Sequence, residues 1–293
     1  MPPSDSKFVC PVTGEEARFY CPKPPVDYYI TGESGLIFVK EPPPLKAMAA
    51  YANEQYSAGL YRGYVRAADL KRATFERRIR LLRRLGLSGG RLLDVGCGCG
   101  FFLETALAHG FDATGVEFSS EAIALARSDV RECIVQGDVN ALALRNDSAF
   151  DVIVAFDIIE HTQDPLKFLN DLRSLLRPGA WLALSTPDTG HFLRYLMRSH
   201  WPMLQPLQHT YLFSKGAMRN ALQRCGYSNI RIENATKMLS ADYLIEQVSE
   251  YNPLLQRLYR GVSPIVPPRL RKKAWQVNIG EMLVFAQRPD ESR

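Results

Sequence analysis

Short apolar runs alternate with longer amphipathic stretches from residue 89 onwards. The apolar runs are typical of strands buried on both faces, and the stretches between them have the spacing of helices. Strands are predicted at residues 91–95, 113–117, 132–136, 150–156, 181–185, 229–233 and 281–287. Helices are predicted at residues 102–109, 119–127, 165–176 and 215–225. This alternation predicts an α/β fold, with a mostly parallel sheet that carries helices on both faces.

The flanking segments break this alternation. Residues 1–46 are rich in Pro and Gly, which predicts a small irregular module and a linker. Residues 47–88 are predicted as a helical lead-in whose interleaved arginines form a solvated face, with contact to a polyanion as the alternative. Residues 236–278 are predicted as a helical insertion before the last strand. The core is therefore expected to comprise residues 89–235 and 279–290.

Composition and charge exclude little. Hydrophobic residues make up 46% of the 293 residues and charged residues 23%, a balance ordinary for a globular protein. The net charge of +5 permits an acidic substrate or a peripheral membrane contact, but it gives no reason to expect nucleic acid. The chain shows neither a signal pattern nor an apolar run long enough to span a membrane. Free cysteine thiols and a cytoplasmic location are expected.

Glycines directly after the first predicted strand indicate a ligand site. Gly96, Gly98 and Gly100 allow a tight turn and a close approach of a ligand to the backbone. The turn opens a predicted helix, whose N-terminal N–H groups face the ligand. Glu117 ends the second predicted strand, the position that accepts hydrogen bonds from ribose hydroxyls in doubly wound folds. The spacing differs from the Gly-x-Gly-x-x-Gly of dinucleotide binders, which leaves a nicotinamide-dependent dehydrogenase as a weak alternative.

The segment from Leu92 to Gly100, which includes Asp94 and Cys97, resembles motif I of class I methyltransferases. That resemblance implies a Rossmann-like, seven-stranded sheet and S-adenosylmethionine as the cofactor. It implies that the glycine loop holds the methionine moiety and that Asp94 orders water or the loop near its amino group. It also implies a set of further cofactor contacts: Glu117 and Phe118 after the second strand, Asp138 at the adenine amine, Val139 against the ring and Phe156 at the methionine end.

The resemblance continues after the fourth strand, from Glu160-His161 to Asp164-Pro165 and again at His209. His161 is predicted as a base or an acceptor-positioning residue, and His209 as the second candidate, with structural histidines as the alternative. The fourth strand lacks the Asn/Asp-Pro-Pro-Tyr of enzymes that methylate amino groups of bases and glutamines. A hydroxyl of a small molecule or glycan is therefore the expected acceptor. Amino or carbon acceptors stay open, as does a non-catalytic module that binds RNA or membranes.

Two resemblances to metal sites are incomplete. Asp157, Glu160 and His161 resemble the Glu-x-x-Glu-His with which ubiquinone-pathway O-methyltransferases can hold a divalent cation, but the first acid here is Asp. Cys10, Thr13, Thr31 and Ser34 occupy the cysteine positions of an N-terminal zinc ribbon found in related methyltransferases, and only the first is a cysteine. A structural zinc site needs four nitrogen or sulfur ligands. No metal is predicted at either place.

Overall fold

The computed structural model describes residues 8–44, 46–48, 50–51, 54, 67–139, 142, 149–249, 257, 261 and 265–290. Its strands are β1 (Phe8–Val9), β2 (Glu16–Lys23), β3 (Val26–Thr31), β4 (Ile37–Val39), β5 (Gly90–Val95), β6 (Phe111–Glu117), β7 (Ile134–Gln136), β8 (Phe150–Phe156), β9 (Leu176–Pro187), β10 (Tyr211–Leu212), β11 (Ser228–Leu239) and β12 (Trp275–Gln287). Its α-helices are α1 (Ala68–Arg84), α2 (Phe101–Ala108), α3 (Ser120–Ala124), α4 (Ser128–Arg131), α5 (Pro165–Leu175), α6 (Phe192–Met197), α7 (Lys215–Arg224), α8 (Ala241–Ser249) and α9 (Pro268–Arg271). Short 3₁₀ helices span Ile159–His161 and Arg198–His200.

The main sheet has seven strands in the order β11-β12-β9-β8-β5-β6-β7. Strand β12 pairs antiparallel with both β11 and β9, while the pairs β8/β9, β5/β8, β5/β6 and β6/β7 are parallel. The predicted α/β fold with a mostly parallel, seven-stranded sheet is therefore confirmed. Because β5, β6, β7 and β8 run in the same direction, their carboxyl ends meet at one edge of the sheet.

Helices cover both faces of the sheet, as predicted. On one face α1 contributes Ile79 and Leu82, both wholly buried, as its apolar spacing indicated. On the other face α5 and α7 bury residues such as Leu169 and Met218. Within the described residues, none of the helices combines the length and apolar character needed to cross a membrane. All six cysteines are free thiols, as expected.

Caps fix where several helices begin. The Ser119 hydroxyl accepts a hydrogen bond from the Ala122 amide, and the Asp164 carboxylate accepts one from the Lys167 amide at 2.9 Å. The helix predicted over 119–127 is shorter in the structure, since α3 ends at Ala124, and after the extended backbone of Arg127 a separate short helix, α4, begins. The side chains of Ser119 and Asp164 therefore fix the helix starts that the sequence indicated.

The N-terminal segment is more regular than predicted. Strands β1 to β4 form an antiparallel sheet, and β10 from the core joins it beside β4. Gly14 and the Pro24-Pro25 pair lie in turns between the strands, so these residues end strands and do not exclude them. Thr31 and Ser34, at two of the zinc-ribbon cysteine positions, join their hydroxyls in a 2.8 Å hydrogen bond. Hydroxyl groups therefore close this turn, at two of the four positions that resemble the cysteine positions of a zinc ribbon.

The last two strands are longer than the sequence indicated. β11 continues to Leu239 and β12 begins at Trp275, whereas the predicted strands covered only 229–233 and 281–287. The extra residues pair with each other, with a register shift between Ala235 and Lys237. The sequence did not indicate this extension because many of its residues are polar or exposed. It is a strand because it pairs with its partner strand, and it has no regular buried face that a sequence pattern would show. The extended antiparallel pair of β11 and β12 carries Lys237 next to the edge where the glycine loop lies.

Candidate functional site

The glycine loop follows β5 with three left-handed glycines. The φ angles are 69° at Gly96, 56° at Gly98 and 77° at Gly100. A Cβ at Gly96 would lie 2.2 Å from Cδ1 of Ile158, so this glycine is needed for packing. A Cβ at Gly98 would meet nothing within 4 Å. All three glycines therefore allow the loop to turn. At Gly98 the absence of a side chain also leaves space beside the backbone, through which a ligand can approach.

Glu117 ties the loop to the end of β6. Its carboxylate accepts a hydrogen bond from the Gly98 amide and another from the Ser119 amide, each at 2.9 Å. Burial raises the pKa of this carboxyl above its usual value, although hydrogen bonds from Ser119 and Gly98 oppose the shift. A carboxylate has about four lone-pair directions, so it can still accept hydrogen bonds from hydroxyl groups. The predicted ribose acceptor thus also positions the loop.

Asp94 is buried at the end of β5, with 3% of its surface exposed. Its Oδ2 atom has no hydrogen-bond partner within the part of the chain that the structure describes. Burial and the nearby Glu117 raise the pKa of Asp94 well above its usual range. A buried acceptor without a donor costs about 1–3 kcal/mol, so this oxygen is suited to a donor that a ligand brings.

The remaining predicted cofactor residues lie along the same sheet edge. Phe118 follows β6 and is half exposed, and Asp138 follows β7 at the surface. Val139 is buried within the main core. The Phe156 ring, at the end of β8, packs edge-on against Phe102 with centroids 5.0 Å apart. The fold brings these residues to one edge, and their individual contacts with a cofactor stay a prediction.

A cavity opens beside the glycine loop, between α1, the ends of β5 and β8, and residues 237–243. Its walls are unusually rich in ionisable groups. They include Lys71 and Arg78 from α1, Asp94, Asp157 and Lys237, with Phe156 as an aromatic neighbour. Of the residues that line the cavity, the sequence indicated Asp94, Gly96, Cys97 and Phe156 as cofactor contacts, and none of the three cations.

A partly buried charge network forms one wall of this cavity. The Lys237 ammonium lies 3.0 Å from Oδ2 of Asp157 and 2.5 Å from Oε1 of Glu281. Ser185 donates to the other Asp157 oxygen at 2.6 Å and accepts from Arg78 at 3.0 Å. Burial alone would raise the pKa of Asp157, but the nearby Lys237 and Arg78 charges hold it well below its usual range. Burial and Asp157 raise the pKa of Glu281.

Arg78 departs from the predicted solvated arginine face. Only 4% of its surface is exposed, and its guanidinium lies 4.0 Å from the centroid of the Phe156 ring. This stacking is a cation–π contact, and the hydrogen bond to Ser185 fixes its direction. The solvated-face interpretation of the arginines is therefore wrong for this residue, because a buried partner on β9 and an aromatic ring compensate its charge.

The two predicted catalytic histidines lie together behind the end of β8. Their ring centroids are 4.9 Å apart. Nδ1 of His161 bonds the Gln208 carbonyl at 3.1 Å, and Nδ1 of His209 bonds the Met203 carbonyl at 2.7 Å. A carbonyl only accepts, so both rings carry the proton on Nδ1 and present Nε2 as an acceptor. Burial, followed by the His161 ring, lowers the pKa of His209 to about 3.

The N-terminal sheet supports this histidine pair. The Tyr28 hydroxyl on β3 donates to the His209 carbonyl at 2.8 Å. Phe38 on β4 stacks on Tyr211, with planes 7° apart. The strand β10 that carries Tyr211 begins two residues after His209. The segment predicted as an irregular module thus holds the His209 loop in place.

A family model described as a methyltransferase domain matches residues 66–232. The chain belongs to the class I S-adenosylmethionine-dependent methyltransferases. Its match to the ubiquinone biosynthesis O-methyltransferase of Xanthomonas campestris is 37% identical over 108 residues, which is 35% of this chain and 45% of the relative. The chain thus spans less than half the length of the curated relatives it matches first.

Solved structures resemble the methyltransferase in fold. A SAM-dependent methyltransferase from Archaeoglobus fulgidus has a TM-score of 0.50 and 17% identity, covering 76% of this chain and 98% of its own. A Thermotoga maritima structure, described as a possible histamine N-methyltransferase, has a TM-score of 0.51 and 16% identity, covering 83% of this chain and 98% of its own. At such identities these structures show the fold alone.

The loop residues fit S-adenosylmethionine. Asp94 offers a buried oxygen that needs a donor, and the cofactor carries an amino group. Gly98 presents open backbone, and Glu117 can accept from hydroxyls. These observations concern the chain's own atoms, and they agree with the cofactor of the methyltransferase family.

The metal set suggested by the resemblance does not converge. The Asp157 carboxylate is bound by Lys237 and Ser185. Among the described residues, the donor atoms that do converge belong to Glu160, His161 and His209, all within 4.8 Å of one another. Glu160 also accepts a hydrogen bond from Thr186 at 2.9 Å, and burial raises its pKa well above the usual range. These three side chains could hold a divalent cation, a site the sequence did not predict.

Sequence reasoning missed the cations around the cavity. Lys71 and Arg78 occur within a run of basic residues on α1, and nothing in the run marks which of them face inwards. Helical spacing offered a partial signal, since Arg78 lies between Phe75 and Leu82 on the buried side of α1. Lys237 and Glu281 lay in or next to the predicted insertion. Their partners lie far away in the sequence, so no local pattern could reveal the pairing.

Proposed function

We propose that this methyltransferase transfers a methyl group to a hydroxyl of a small molecule or glycan, in the cavity beside the glycine loop. The observation that carries the proposal is the position of the cavity. It adjoins both Asp94 and Gly96 of the loop and Phe156 and Asp157 at the end of β8. Ligands in open α/β sheets bind at this carboxyl edge. An acceptor there would meet the reacting end of the cofactor.

Two observations support oxygen as the methylated atom. The chain after β8 reads Asp157-Ile158-Ile159, with none of the proline-tyrosine sequence typical of enzymes that methylate amino groups of bases. The first curated relatives are described as ubiquinone biosynthesis O-methyltransferases, although they match only part of this chain. We expect residues 188–212, 236–278 and 47–66 to select the acceptor. Most of residues 47–66 lie outside the described part of the chain.

The chain's contribution to the reaction is alignment. S-adenosylmethionine supplies, when bound, an electrophilic methyl group on a sulfonium. Glu117 and the glycine loop fix the cofactor pocket, and Asp94 offers an acceptor for its amino group. Arg78 and Lys237 are held rigidly by Ser185, Asp157 and Glu281, so the cavity wall is organised before an acceptor arrives. The roles of His161 and His209 in the reaction stay a prediction.

Calorimetry and a methylation assay test the proposal. We expect the purified protein to bind S-adenosylmethionine with micromolar affinity, and Glu117→Ala to weaken this binding. Radiolabelled methyl transfer to a panel of phenols, aliphatic alcohols, glycosides, amines and activated carbon acids would then identify the acceptor. Ether products from hydroxyl acceptors would support the proposal. Wild-type transfer confined to amines or carbon acids would refute the oxygen assignment, and unaltered binding by Glu117→Ala would refute the role of Glu117.

A further inference from the structure

A basic segment with exposed apolar side chains leads into β12. Residues 265–275 carry four cations and no acidic residue: Arg269, Arg271, Lys272 and Lys273. Apolar side chains are interleaved with these cations. Ile265 is 81% exposed, and Leu270 and Trp275 are each more than half exposed. The Lys273 ammonium lies over the Trp275 ring, 4.7 Å from its centroid. The segment therefore presents positive charge and apolar surface together.

A second exposed apolar face lies on α6. Phe192, Tyr195 and Leu196 have the spacing of one helix face, and each is more than half exposed. The opposite side holds Arg194, which is buried and donates a hydrogen bond to the Thr189 carbonyl at 2.8 Å. A surface helix ordinarily turns its apolar residues towards the core. α6 instead turns three large apolar side chains outwards.

Both parts project from the same edge of the main sheet. The last residue of β9, Pro187, pairs with Glu281, so residues 275–280 of β12 extend beyond the carboxyl ends of the parallel strands. α6 begins beside Gly280 of β12, because a Cβ on this glycine would lie 2.8 Å from Nδ1 of His191. The start of α6 is thus separated from the start of β12 by about 17 Å of extended strand.

This edge also borders the cavity beside the glycine loop. Trp275 pairs with Leu239, and Arg271 lies 3.4 Å from the Asp242 carboxylate on α8. Leu239 and Tyr243, on either side of Asp242 in the chain, both line the cavity. We name the exposed residues at this edge the edge surface, which comprises residues 265–275 with Phe192, Tyr195 and Leu196.

We propose that the edge surface binds the interface of a lipid bilayer that contains anionic phospholipids. Its apolar side chains enter the headgroup region, where tryptophan and aliphatic side chains bury area. Its exposed cations, Arg269, Lys272 and Lys273, meet the lipid phosphates. The inference goes beyond the proposed function, because it concerns a surface outside the cavity and does not depend on which atom is methylated.

The combination of charge and apolar area favours a bilayer over other large partners. Surfaces that bind proteins are depleted in lysine. Nucleic acids are held through phosphate contacts and base stacking, which give aliphatic side chains such as Ile265 and Leu196 little to bind. An anionic bilayer engages both kinds of group, because its phosphates attract a basic segment and its acyl boundary accepts the apolar side chains.

Co-sedimentation of the full chain with lipid vesicles measures this binding. We expect the protein to sediment with vesicles of phosphatidylcholine and phosphatidylglycerol, and far less with vesicles of phosphatidylcholine alone. The double variant Lys272→Gln with Lys273→Gln should lower the partition coefficient by about tenfold or more. Arg83→Gln with Arg84→Gln is the matched control and should bind as the wild type does. It removes the same charge from two exposed neighbours at the end of α1, which lies shortly before the start of β5.

Two further measurements test the apolar part of the edge surface. Leu270→Ser and Leu196→Ser should each weaken vesicle binding by about tenfold. Leu125→Ser is their control, because Leu125 is a similarly exposed leucine that follows α3, and it should bind normally. Tryptophan emission should shift to shorter wavelength when anionic vesicles are added, and Trp275→Phe should remove this shift. Thermal melting and the Kd for S-adenosylmethionine should match the wild type in every variant, which shows that each is folded.

The outcomes separate this inference from the proposed function. A protein that does not sediment with anionic vesicles would overturn the inference and leave methyl transfer to hydroxyls intact. Equal losses in the Lys272/Lys273 and Arg83/Arg84 variants would also overturn it, because net charge and not the edge surface would then account for the binding. Binding of RNA without binding of vesicles would assign the surface to nucleic acid instead. Methyl transfer confined to amines would refute the proposed function and leave the bilayer contact standing.

Discussion

Gly98→Ala tests whether the glycine loop binds the cofactor through its open backbone. Gly98 has a φ of 56°, and a Cβ placed on it meets no atom within 4 Å. Gly110, which follows α2, has a φ of 84° and is equally open. Gly110→Ala is therefore a matched control, with the same backbone requirement and the same lack of contacts but no place in the loop. Any difference in cofactor affinity between the two variants therefore reports whether the cofactor contacts the backbone at Gly98.

The expected cost to stability is small and shared. A left-handed conformation costs a non-glycine residue about 1–2 kcal/mol, and the stiffer unfolded chain returns about 0.4–1 kcal/mol. Each variant should thus lose about 1 kcal/mol of unfolding free energy, or about 2–4 °C in Tm. Only Gly98→Ala places a methyl group where the cofactor is expected to approach. Its Kd for S-adenosylmethionine should rise at least tenfold, which corresponds to about 1.4 kcal/mol.

Calorimetric titration at one temperature, with thermal melts of the free proteins, measures both quantities. The argument requires similar melting temperatures for the two variants and a weakened affinity for Gly98→Ala alone. If Gly98→Ala binds the cofactor as well as the wild type, the open face of Gly98 does not meet the ligand. If Gly110→Ala loses affinity to the same extent, the loss reflects general strain in the sheet, and the reasoning from the loop is refuted.

Three further variants test the packing and the charges. Gly96→Ala should lose about 2–4 kcal/mol of unfolding free energy by denaturant titration, since its Cβ would lie 2.2 Å from Ile158 Cδ1 at a φ of 69°. Lys237→Met should lose about 2–3 kcal/mol in the same assay, because it removes the ammonium that the Glu281 and Asp157 carboxylates share. Ser185, Arg78 and the partial exposure of Asp157 moderate the cost. The pKa of His209 is about 3 in the folded protein and about 6.5 in the unfolded chain. Between these pH values only the unfolded state binds a proton at His209, so the free energy of unfolding falls as the pH drops from about 6.5 towards 3. His209→Gln should remove about 1.4 kcal/mol per pH unit from that slope between pH 6 and 4, as measured by unfolding at each pH.

Each of these outcomes can fail separately. A Gly96→Ala protein as stable as Gly98→Ala would mean that Ile158 can move aside. A Lys237→Met protein as stable as the wild type would mean that water compensates the two carboxylates. If the pH dependence of stability is unchanged in His209→Gln, the pKa of His209 in the folded protein is close to its pKa in the unfolded chain.

The sequence was sufficient to predict the elements that depend on local pattern. Apart from Asp151, β8 is an apolar run whose centre is buried, and the predicted 165–176 helix is indicated by its Asp164 cap and by Pro165 in its first turn. The glycine loop was predictable because its backbone needs specific residues. The N-terminal strands were missed, since short strands rich in turns carry little periodicity and depend on pairing between segments distant in sequence, such as β4 with β10.

The charges of the cavity were unpredictable for a different physical reason. Lys237 neutralises Asp157, which lies 80 residues earlier, and Glu281, which lies 44 residues later. In the sequence Lys237 and Glu281 look like solvated surface charges and Asp157 like part of a metal set, and only the folded sheet, which brings the end of β8 next to β11 and β12, makes the three partners. The Lys237 ammonium, only 16% exposed, is stabilised because the fold brings it two carboxylates from distant parts of the chain, so the charge balance at the cavity is a property of the tertiary structure.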